Sequence, residues 1–318
     1  MDIAIVGNGF MGKKHQSIIE KMPEMNLVAQ IDSRLTEPNS EIQFQSLESF
    51  IQSGQNADLV VIATPNHLHF SQAKFLLEHN FNVLIEKPFC FTIEQADTLQ
   101  KIANTMDKKI YIVMQNRFSP VSQKLKYLIE NQQLGSIYNI QLNAFWNRGS
   151  QYYIQDSWKG KKECDGGILY TQFSHLIDLI CYLFNSNIEV LYKSFESFRN
   201  FEIAEIEDTA IVILETSDKT KIVLNFTTAV FEKNQETTMN IISEKGTLKV
   251  GGQYFDQIEY QYTESLEDVI NIDRKSNEDN LMDLYNEILK DSENIENHSI
   301  QLKDGRKLVD LLERIYHT

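Results

Sequence analysis

The sequence has few cysteines, prolines and glycines, and each scarcity excludes a class of protein. Its 318 residues include three cysteines, five prolines and 13 glycines. An odd number of cysteines without a CxxC pair disfavours a disulfide framework and a zinc site, and is typical of buried thiols in a reducing compartment. The three are Cys90, Cys164 and Cys181. So little glycine and proline excludes collagen-like and low-complexity chains.

Positive charge and long apolar runs are also scarce. Thirty basic residues stand against 45 acidic ones, a formal net charge of −15, whereas nucleic-acid binding needs clustered lysine and arginine. Met1 leads directly into the apolar run Ile3–Val6, without the basic start and long apolar segment of a signal peptide. No run is long enough to span a membrane. We therefore expect a soluble protein of the cytoplasm that binds neither nucleic acid nor membranes.

The first third of the chain alternates short apolar runs with helical stretches. Strands that alternate with helices form right-handed βαβ units around a parallel sheet. The strands are predicted at Ile3–Val6, Leu27–Ile31, Leu59–Ala63, Asn82–Ile85 and Ile110–Met114, and the helices at Lys13–Lys21, Phe70–His79 and Ile93–Ala103. Since the length allows two domains, we expect residues 1–118 to form a doubly wound α/β domain.

Residues 119–318 carry a different pattern, in which apolar and polar residues mostly alternate. This alternation predicts a second α/β domain with a large, open, mixed or antiparallel sheet. Its strands are predicted at Ile137–Trp146, Ile188–Phe198, Thr209–Thr216, Lys221–Val230, Thr237–Ser243, Gly246–Val250 and Gln257–Tyr262, and its helices at Val121–Asn131, Ile168–Leu183, Asn280–Lys290 and Gly305–Tyr316. The stretch Glu264–Glu296 holds eleven acids and three bases, and we interpret it as a solvated surface.

A glycine-rich turn links the first predicted strand to the first helix. Gly7, Gly9 and Gly12 match GxGxxG, with Phe10 and Met11 between the last two. The first glycine permits a tight turn, the second lets the backbone approach a pyrophosphate, and the third allows close helix–strand packing. Free N–H groups at the start of the helix then attract the phosphates. The turn therefore predicts a Rossmann-type dinucleotide site, with an ordinary glycine-rich turn as the alternative.

Asp32 lies twenty residues after Gly12, at the end of the second predicted strand. A carboxylate there accepts hydrogen bonds from the ribose hydroxyls of NAD and repels the 2′-phosphate of NADP. Ser33 and Arg34 follow, and an arginine at this point could pair with that phosphate instead. We therefore expect NAD, with NADP as the alternative.

The loop after the third strand is expected to border the cofactor, because ligands collect beyond the carboxyl ends of parallel strands. It contains Thr64, Pro65, Asn66, His67 and His69. Two histidines suggest a metal, but no third ligand lies nearby in the sequence. We interpret the loop as pocket wall and helix entry, and expect no metal.

Glu86, Lys87 and Pro88 follow the predicted strand Asn82–Ile85 at the same edge of the sheet. Pro88 disfavours helical backbone at Lys87 and holds it extended. A lysine so placed could meet a substrate hydroxyl, and burial would lower its pKa toward a catalytic value. A solvated charge is the alternative.

His175 and Asp178 follow Asp165-Gly166-Gly167 and lie three residues apart on one predicted helix. At that spacing the two side chains share a helix face. The carboxylate can therefore orient the imidazole for catalysis. Alternatively, His175 is a core histidine with satisfied hydrogen bonds.

Together these motifs resemble the Gfo/Idh/MocA oxidoreductase family. The likeness comprises the glycine turn, Thr64-Pro65-Asn66-x-x-His69, Glu86-Lys87-Pro88, Gly166-Gly167-(x)7-His175-x-x-Asp178 and, weakly, Leu284–Leu289. It implies a Rossmann domain, an α/β domain whose open sheet forms a homodimer or homotetramer, and hydride transfer to or from a sugar or cyclitol carbon. It also implies that Lys87 and His175 are the catalytic pair, with Lys87 touching nicotinamide and substrate.

One position departs from the family pattern, and other positions narrow the resemblance. Many members carry aspartate four positions before the histidine, where this chain has Thr171. The chain is similar to a bacterial subgroup that also lacks this aspartate and oxidises the sugar 3-hydroxyl of UDP-N-acetylglucosaminuronate. That similarity rests on Asn147-Arg148-Gly149, Tyr153, Ser157-Trp158-Lys159-Gly160, Gln115 and Arg117.

The motifs and the resemblance together assign candidate residues to two groups. Cofactor contacts are expected from Gly7, Gly9, Phe10, Met11, Gly12, Asp32, Ser33, Arg34, Thr64, Pro65, Asn66, His69, Glu86, Lys87, Gln115 and Trp158. Substrate contacts are expected from Lys87, Arg117, Arg148, Tyr153, Lys159, Thr171 and His175.

The sequence thus predicts an NAD-dependent dehydrogenase that oxidises a secondary hydroxyl of a sugar. His175 is the expected base and Lys87 stabilises the alkoxide, although the reverse assignment stays open. Residues 143–175 carry four bases, three acids and several aromatic rings, which favours an anionic, nucleotide-linked substrate. The resemblance implies that this substrate is a UDP-sugar of surface-polysaccharide biosynthesis. The alternatives are a free-sugar or cyclitol dehydrogenase, an NAD-dependent glycoside hydrolase and a non-catalytic NAD-sensing regulator.

Overall fold

The structure is a computed structural model that describes residues 1–35, 41–154, 158–199, 202–252, 254–264, 272–292 and 300–317. The chain forms two compact units. Unit 1 comprises Met1–Val113 and Leu284–Val309, and unit 2 comprises Met114–Asp283 and Asp310–Thr318. The boundary after Val113 lies close to the predicted division at residue 118, whereas the sequence assigned Leu284–Val309 to the second domain. Each unit therefore uses two separate stretches of chain.

Strands and helices alternate through the first stretch of unit 1, as predicted. The strands are β1 (Asp2–Val6), β2 (Asn26–Ile31), β3 (Gln43–Phe44), β4 (Leu59–Ile62), β5 (Asn82–Ile85) and β6 (Ile110–Ile112). The helices are α1 (Phe10–Ile19), α2 (Leu47–Gln52), α3 (His69–Glu78) and α4 (Ile93–Met106). The sequence did not predict β3 and α2, because two and six residues are too few for a hydrophobic period to show.

The six strands of unit 1 form a parallel sheet in the order β3-β2-β1-β4-β5-β6. Every residue of β4 is buried, as expected of a central strand covered on both faces. The strand order reverses between β1 and β4. In doubly wound sheets ligands bind beyond the carboxyl ends of the strands at this reversal. The predicted fold class of the first domain is confirmed.

Unit 2 contains a second, larger sheet and several short helices. The helices are α5 (Pro120–Glu130), α6 (Ser150–Ile154), α7 (Lys162–Asp165), α8 (Ile168–Thr171) and α9 (Ser174–Leu183). The strands are β7 (Ile137–Phe145), β8 (Ile188–Glu196), β9 (Thr209–Thr216), β10 (Lys221–Thr227), β11 (Glu236–Ser243), β12 (Gly246–Gly251) and β13 (Gln257–Thr263). They pair in the order β13-β12-β11-β7-β10-β9-β8. Since β7 and β10 are parallel and the other pairs antiparallel, the predicted mixed sheet is confirmed.

The two faces of this sheet differ in burial. In β9 the side chains of Ala210, Val212 and Leu214 are fully buried, while Ile211 between them is exposed. On the buried face the ring of Phe173 stacks on Phe226 of β10, with centroids 4.6 Å apart. One face therefore forms the core of unit 2.

The sequence predicted one helix over Ile168–Leu183, and the structure has two. The N–H of Phe173 bonds the carbonyl of Ile168, five residues back, at 3.0 Å. This wider turn ends α8 and lets α9 begin at Ser174. The break places Phe173 in the core against Trp146 and Phe226. The prediction failed because an apolar run shows no period by which to detect a break.

Two helices end the chain, α10 (Asn277–Ser292) and α11 (Leu302–His317). The interpretation of Glu264–Glu296 as a solvated surface is wrong for α10, because Leu281, Leu284, Tyr285 and Ile288 are buried at helical spacing. Residues 265–271 and 293–296 of that stretch lie outside the described residues. Across the described ranges, none of the helices is both long enough and apolar enough to cross a bilayer.

Candidate functional site

The glycine turn of unit 1 has two positions at which there is no room for a side chain. At a third position the backbone surface is unobstructed. A Cβ at Gly12 would lie 1.8 Å from the carbonyl oxygen of Gly7. Gly7 has φ +99°, and a Cβ there would lie 2.6 Å from the carbonyl oxygen of Ala63. At Gly9 the nearest atom to a Cβ is 4.0 Å away. Gly7 and Gly12 therefore pack the turn against β1 and β4, while Gly9 leaves its surface open to a ligand.

Helix α1 starts directly after this turn, three residues earlier than predicted. Gly9 is its N-cap and accepts the N–H of Lys13 at 3.0 Å. Phe10 is 84% exposed and Met11 partly exposed. The first N–H groups of α1 are therefore available for the phosphates of a dinucleotide. The turn fits the predicted cofactor.

Asp32, at the end of β2, is buried and strongly hydrogen-bonded. It accepts the N–H of Asn8, in the glycine turn, at 2.6 Å. Arg34 donates its backbone N–H at 2.9 Å and its guanidinium at 3.0 and 2.8 Å. The hydrogen bonds from Arg34 lower the pKa of Asp32 to about 2. Asp32 is therefore ionised, while Ser33 and the Arg34 guanidinium, 70% exposed, lie at the surface.

The loop after β4 is tied to the loop after β5 by His69. The ring nitrogens of this buried histidine lie 2.8 Å from two carbonyl oxygens, those of Pro88 and Thr64. Burial lowers the pKa of His69. A neutral ring donates to only one carbonyl at a time. Pro65 and the buried Asn66 complete the loop.

Glu86 and Lys87 follow β5, and a buried contact chain holds Glu86. Its carboxylate accepts the N–H of Lys87 at 3.1 Å, and its other oxygen lies 3.1 Å from Nε2 of His15. The opposite nitrogen of His15 lies 2.8 Å from the hydroxyl of Tyr285. Lys87 is half-buried. Sequence reasoning gave His15 no role and included Tyr285 only in the weak family likeness at Leu284–Leu289; a histidine three residues after Gly12 was the available signal.

In unit 2, His175 lies in the first turn of α9 and is half-buried. Its Nε2 lies 3.4 Å from Nε2 of Gln115, which belongs to a 3-10 turn at Gln115–Phe118. If Gln115 donates here, Nε2 of His175 is unprotonated, the tautomer that a general base needs. The side-chain carbonyl oxygen of Gln115, Oε1, is buried and has no hydrogen-bond donor among the described residues.

Asp178 has a different partner from the one that its spacing suggested. Its carboxylate accepts two hydrogen bonds from Arg117, at 2.8 and 2.6 Å, and both side chains are almost fully buried. The sequence paired Asp178 with His175 on one helix face. Instead, the ion pair joins α9 to the turn that carries Gln115. That Arg117 contacts substrate stays a prediction.

The segment before His175 is fixed by groups distant in sequence. A Cβ at Gly167, where φ is +109°, would collide with the Tyr316 hydroxyl. That hydroxyl accepts the N–H of Leu169 at 3.1 Å and donates to Glu207. Glu207 accepts the N–H of Ile168 at 3.0 Å, and burial raises its pKa. The first N–H groups of α8 are thus satisfied by two residues that the sequence did not identify.

Thr171 stands where many family members carry aspartate, and an aspartate lies beside it. Its hydroxyl donates to the backbone carbonyl of Asp165 at 2.8 Å and to the Asp165 carboxylate. Asp165 is buried and also accepts the N–H of Gly160 at 2.9 Å. Thr171 is therefore held by a buried carboxylate from the end of α7.

A cluster of cations and aromatic rings surrounds Arg148. Its guanidinium lies 5.1 Å from the ring of Trp146 and 5.5 Å from that of Tyr152. Nε donates to Gln172 at 2.6 Å, and Lys159 lies 4.2 Å from the Tyr152 ring. Burial lowers the pKa of Arg148. We call Trp146, Arg148, Tyr152 and Lys159 the basic–aromatic cluster.

Three other predicted features lie near this cluster in the sequence. Tyr153 is buried, Trp158 is partly buried, and Ser157 lies outside the described residues. Within the ranges that the structure describes, no group of three or more His, Cys, Asp or Glu side chains is arranged to hold a metal ion.

These features define a class of protein in which a Rossmann domain with a dinucleotide turn precedes a mixed-sheet domain bearing a half-buried histidine. Residues 1–114 match the oxidoreductase family with an NAD-binding Rossmann fold, and residues 122–249 match the GFO/IDH/MocA C-terminal domain. The chain belongs to the GFO/IDH/MocA oxidoreductase family, and its first unit contains the NAD-binding domain. The predicted family and cofactor are confirmed.

Two similar proteins are sugar 3-dehydrogenases. The chain is 24% identical to glucose-6-phosphate 3-dehydrogenase of Bacillus subtilis over 241 residues, 71% of this chain and 67% of that protein. It is 27% identical to D-glucoside 3-dehydrogenase of Escherichia coli over 188 residues, 57% of this chain and 53% of that protein. The matched segments span 50 to 67% of the first four curated relatives.

Solved structures extend the likeness over nearly the whole chain. The WlbA dehydrogenase of Bordetella pertussis, in complex with NADH and UDP-GlcNAcA, has a TM-score of 0.88 at 27% identity, covering 99% of this chain and 94% of its own. WlbA of Chromobacterium violaceum, in complex with the same two molecules, has a TM-score of 0.90 at 27% identity, covering 99% and 92%.

Proposed function

We propose that this protein oxidises a secondary hydroxyl of a sugar with NAD as the acceptor. The observation that carries the proposal is His175, half-buried and beside Gln115, in a chain of the NAD-binding oxidoreductase family. Oxidation of an alcohol removes a proton and a hydride, so a proton acceptor is needed beside the hydride acceptor. NAD, when bound, supplies the hydride acceptor.

The roles of the side chains follow from their chemistry. His175 takes the hydroxyl proton at Nε2, which is the nitrogen left unprotonated when Gln115 donates to it. Lys87 stabilises the negative charge that develops on the sugar oxygen. Gln115 would help to hold the nicotinamide, because its side-chain carbonyl oxygen has no donor among the described residues and would accept one from an amide.

For the finer identity of the substrate we propose a nucleotide-linked sugar. The basic–aromatic cluster supports this, since cations and ring faces together suit a phosphate and a base. The WlbA structures, each with UDP-GlcNAcA, support it as well. A sugar without the nucleotide is the competing substrate, favoured by the glucose-6-phosphate and glucoside relatives.

We further propose a homodimer or homotetramer formed through the outer face of the unit 2 sheet. Tyr192, Ile213 and Val223 are cross-strand neighbours on that face, and Ile211 lies beside them. Tyr192 is 54% exposed and Ile211 40% exposed. Contiguous apolar side chains on an open sheet face are typical of an interface. We also propose a cytoplasmic location, because the enzyme needs NAD in its compartment and its three cysteines are free.

A substrate screen with catalytic variants tests the activity. The protein is incubated with NAD and a panel of UDP-sugars and free sugars, and NADH formation is recorded. We expect Lys87→Met and His175→Asn each to lower kcat by about 10²-fold or more, and the exposed His79→Asn to leave it unchanged. NAD affinity should survive His175→Asn, which lies outside unit 1. Near-normal turnover of His175→Asn would show that the histidine is structural.

The same screen with Arg148→Ala tests the proposal that the substrate is linked to a nucleotide. Loss of the guanidinium should raise KM for the UDP-sugar about tenfold or more while kcat changes less, because a remote contact contributes binding alone. Arg148→Lys should recover part of the loss, and the exposed Arg199→Ala serves as the charge-matched control. Equal use of the free sugar would contradict the nucleotide proposal and leave the dehydrogenase proposal intact. Tightly retained cofactor without net NADH would favour the glycoside hydrolase.

A further inference from the structure

A contact chain connects three elements of unit 1 and ends at the backbone of Lys87. Tyr285 of α10 contacts His15 of α1, and His15 contacts Glu86 beyond β5, at 2.8 and 3.1 Å. Glu86 accepts the N–H of Lys87 at 3.1 Å. His15 and Tyr285 have no exposed surface, and Glu86 is 5% exposed. We call these three residues the Tyr285–His15–Glu86 chain.

The chemistry of the three groups gives the chain one favoured direction. Burial raises the pKa of Tyr285, so its hydroxyl keeps its proton and can donate to Nδ1 of His15. With Nδ1 accepting, the ring carries its proton on Nε2, which points to the Glu86 carboxylate. The other oxygen of Glu86 then accepts the N–H of Lys87. In this arrangement the buried carboxylate is stabilised by hydrogen bonds at both oxygens.

We propose that His15 and Tyr285 are positioning residues for Lys87. The inference rests on the proposed function, in which Lys87 contacts the sugar oxygen. With His15 at one oxygen, the Glu86 side chain cannot rotate without leaving a buried group unpaired, and its other oxygen fixes the peptide of Lys87. A catalytic side chain displaced by about 1 Å loses on the order of 10²-fold in rate.

A second buried tyrosine provides a matched control. Tyr111 of β6 is 3% exposed and donates its hydroxyl to Asp291, which also belongs to α10. Tyr111→Phe and Tyr285→Phe therefore each remove one buried hydroxyl that makes a hydrogen bond between α10 and another element of the fold. Only Tyr285 is connected to Glu86 and Lys87. A loss that comes from loosened packing of α10 appears in both variants, and a loss of positioning appears in one.

Kinetics of these variants test the proposal. We expect Tyr285→Phe to lower kcat about tenfold or more, with the Kd of NAD and the KM of the sugar little changed, and Tyr111→Phe to keep kcat. His15→Gln, whose amide can still donate to Glu86, should retain more of kcat than His15→Leu. Equal kcat in Tyr285→Phe and Tyr111→Phe would overturn the proposal, as would equal losses in the two His15 variants.

A chemical readout separates this proposal from the proposed function. If no sugar is oxidised, the dehydrogenase assignment fails, but the reactivity of the Lys87 amine still reports its position. Acetic anhydride labelling of the NAD-bound protein, followed by peptide mass spectrometry, measures that reactivity. We expect Tyr285→Phe to change the labelling rate of Lys87 relative to Tyr111→Phe, with the rate at Lys101 unchanged. Identical rates at Lys87 would overturn the positioning role.

Discussion

Unit 1 builds its ligand site mainly from backbone, whereas unit 2 builds its site from side chains that join distant segments. The glycine turn lies within six residues, and its shape follows from the lack of side chains at Gly7 and Gly12. In unit 2 the start of α8 depends on Glu207, 39 residues away, and Tyr316, 147 residues away. The first kind of site is specified by residues adjacent in the sequence. The second kind is specified by pairs of residues that are far apart in the sequence and meet only in the folded protein.

The largest expected effect tests the backbone-built turn. Gly12→Ala places a methyl group 1.8 Å from the Gly7 carbonyl oxygen, so the turn has to open and NAD affinity should fall by about 10²-fold or more, equivalent to about 2.8 kcal/mol. Gly54→Ala is the control, since nothing lies within 4 Å of a Cβ there; its positive φ adds a backbone strain that Gly12→Ala does not have, and the thermal melt records that strain. Isothermal titration with NAD and a thermal melt measure both variants. Unchanged affinity in Gly12→Ala would contradict the packing argument.

A smaller effect is expected from the side-chain-built site. Tyr316→Phe keeps the ring, which stacks between Tyr170 and Phe195, and removes the hydroxyl that serves Leu169 and Glu207. Two buried groups lose a partner, so the free energy of unfolding should fall by about 1–3 kcal/mol. Denaturant titration measures the loss, and Tyr262→Phe, 76% exposed, is the control. If both variants unfold alike, the Tyr316 hydroxyl does not fix α8.

The smallest expected effect concerns cofactor choice. NAD should bind at least about tenfold more tightly than NADP, a difference of about 1.4 kcal/mol, because Asp32 repels the 2′-phosphate. Asp32→Asn should remove most of this preference, and Arg34→Ala should not remove it. Titration of both dinucleotides gives the ratio. Equal affinities in the wild-type protein would show that Arg34 compensates for the charge of Asp32.

The pKa of Asp32 decides how far this carboxylate stays charged as the pH falls. Its folded-state pKa is lowered from 3.8 to about 2, so the group stabilises the fold above its ordinary pKa, and that contribution is lost as the pH falls through about 2. The carboxylate is charged at neutral and mildly acidic pH alike. Asp32 should therefore repel the 2′-phosphate over that whole range, and a change in the NAD-to-NADP ratio should follow the second ionisation of the phosphate itself, at a pH of about 6. Because the Arg34 side chain is 70% exposed, the pair itself contributes little to stability.

The same contrast explains which parts of the molecule the sequence could predict. The parallel sheet, the glycine turn and Asp32 were predicted because strand periodicity and GxGxxG spacing are local patterns. The mixed sheet was predicted from alternation alone. The pair β3 and α2 was missed because it is short, and the break at Phe173 was missed because both of its sides are apolar.

The missed site residues share one property, which is a partner far away in the chain. His15 and Tyr285 are 270 residues apart, and Leu169 and Tyr316 are 147 apart. Asp178 was paired with its helix neighbour His175, although Arg117, 61 residues earlier, binds it with two hydrogen bonds. Helix spacing shows which side chains share a face, but it cannot show which outside group competes for them.

The division of the chain between the units has a consequence for the order in which the protein folds during synthesis. Strands β1 to β6 leave the ribosome early, but the edge strand β6 pairs with Ile300 and Gln301, and His15 contacts Tyr285. At roughly 5–20 residues per second, the 270 residues between His15 and Tyr285 take roughly 15–50 s to make. During that interval β6 is an unprotected sheet edge, and His15 lacks the hydrogen-bond partner that Tyr285 later provides. The NAD-binding unit is therefore completed only after Ile300 and Gln301 have been synthesised.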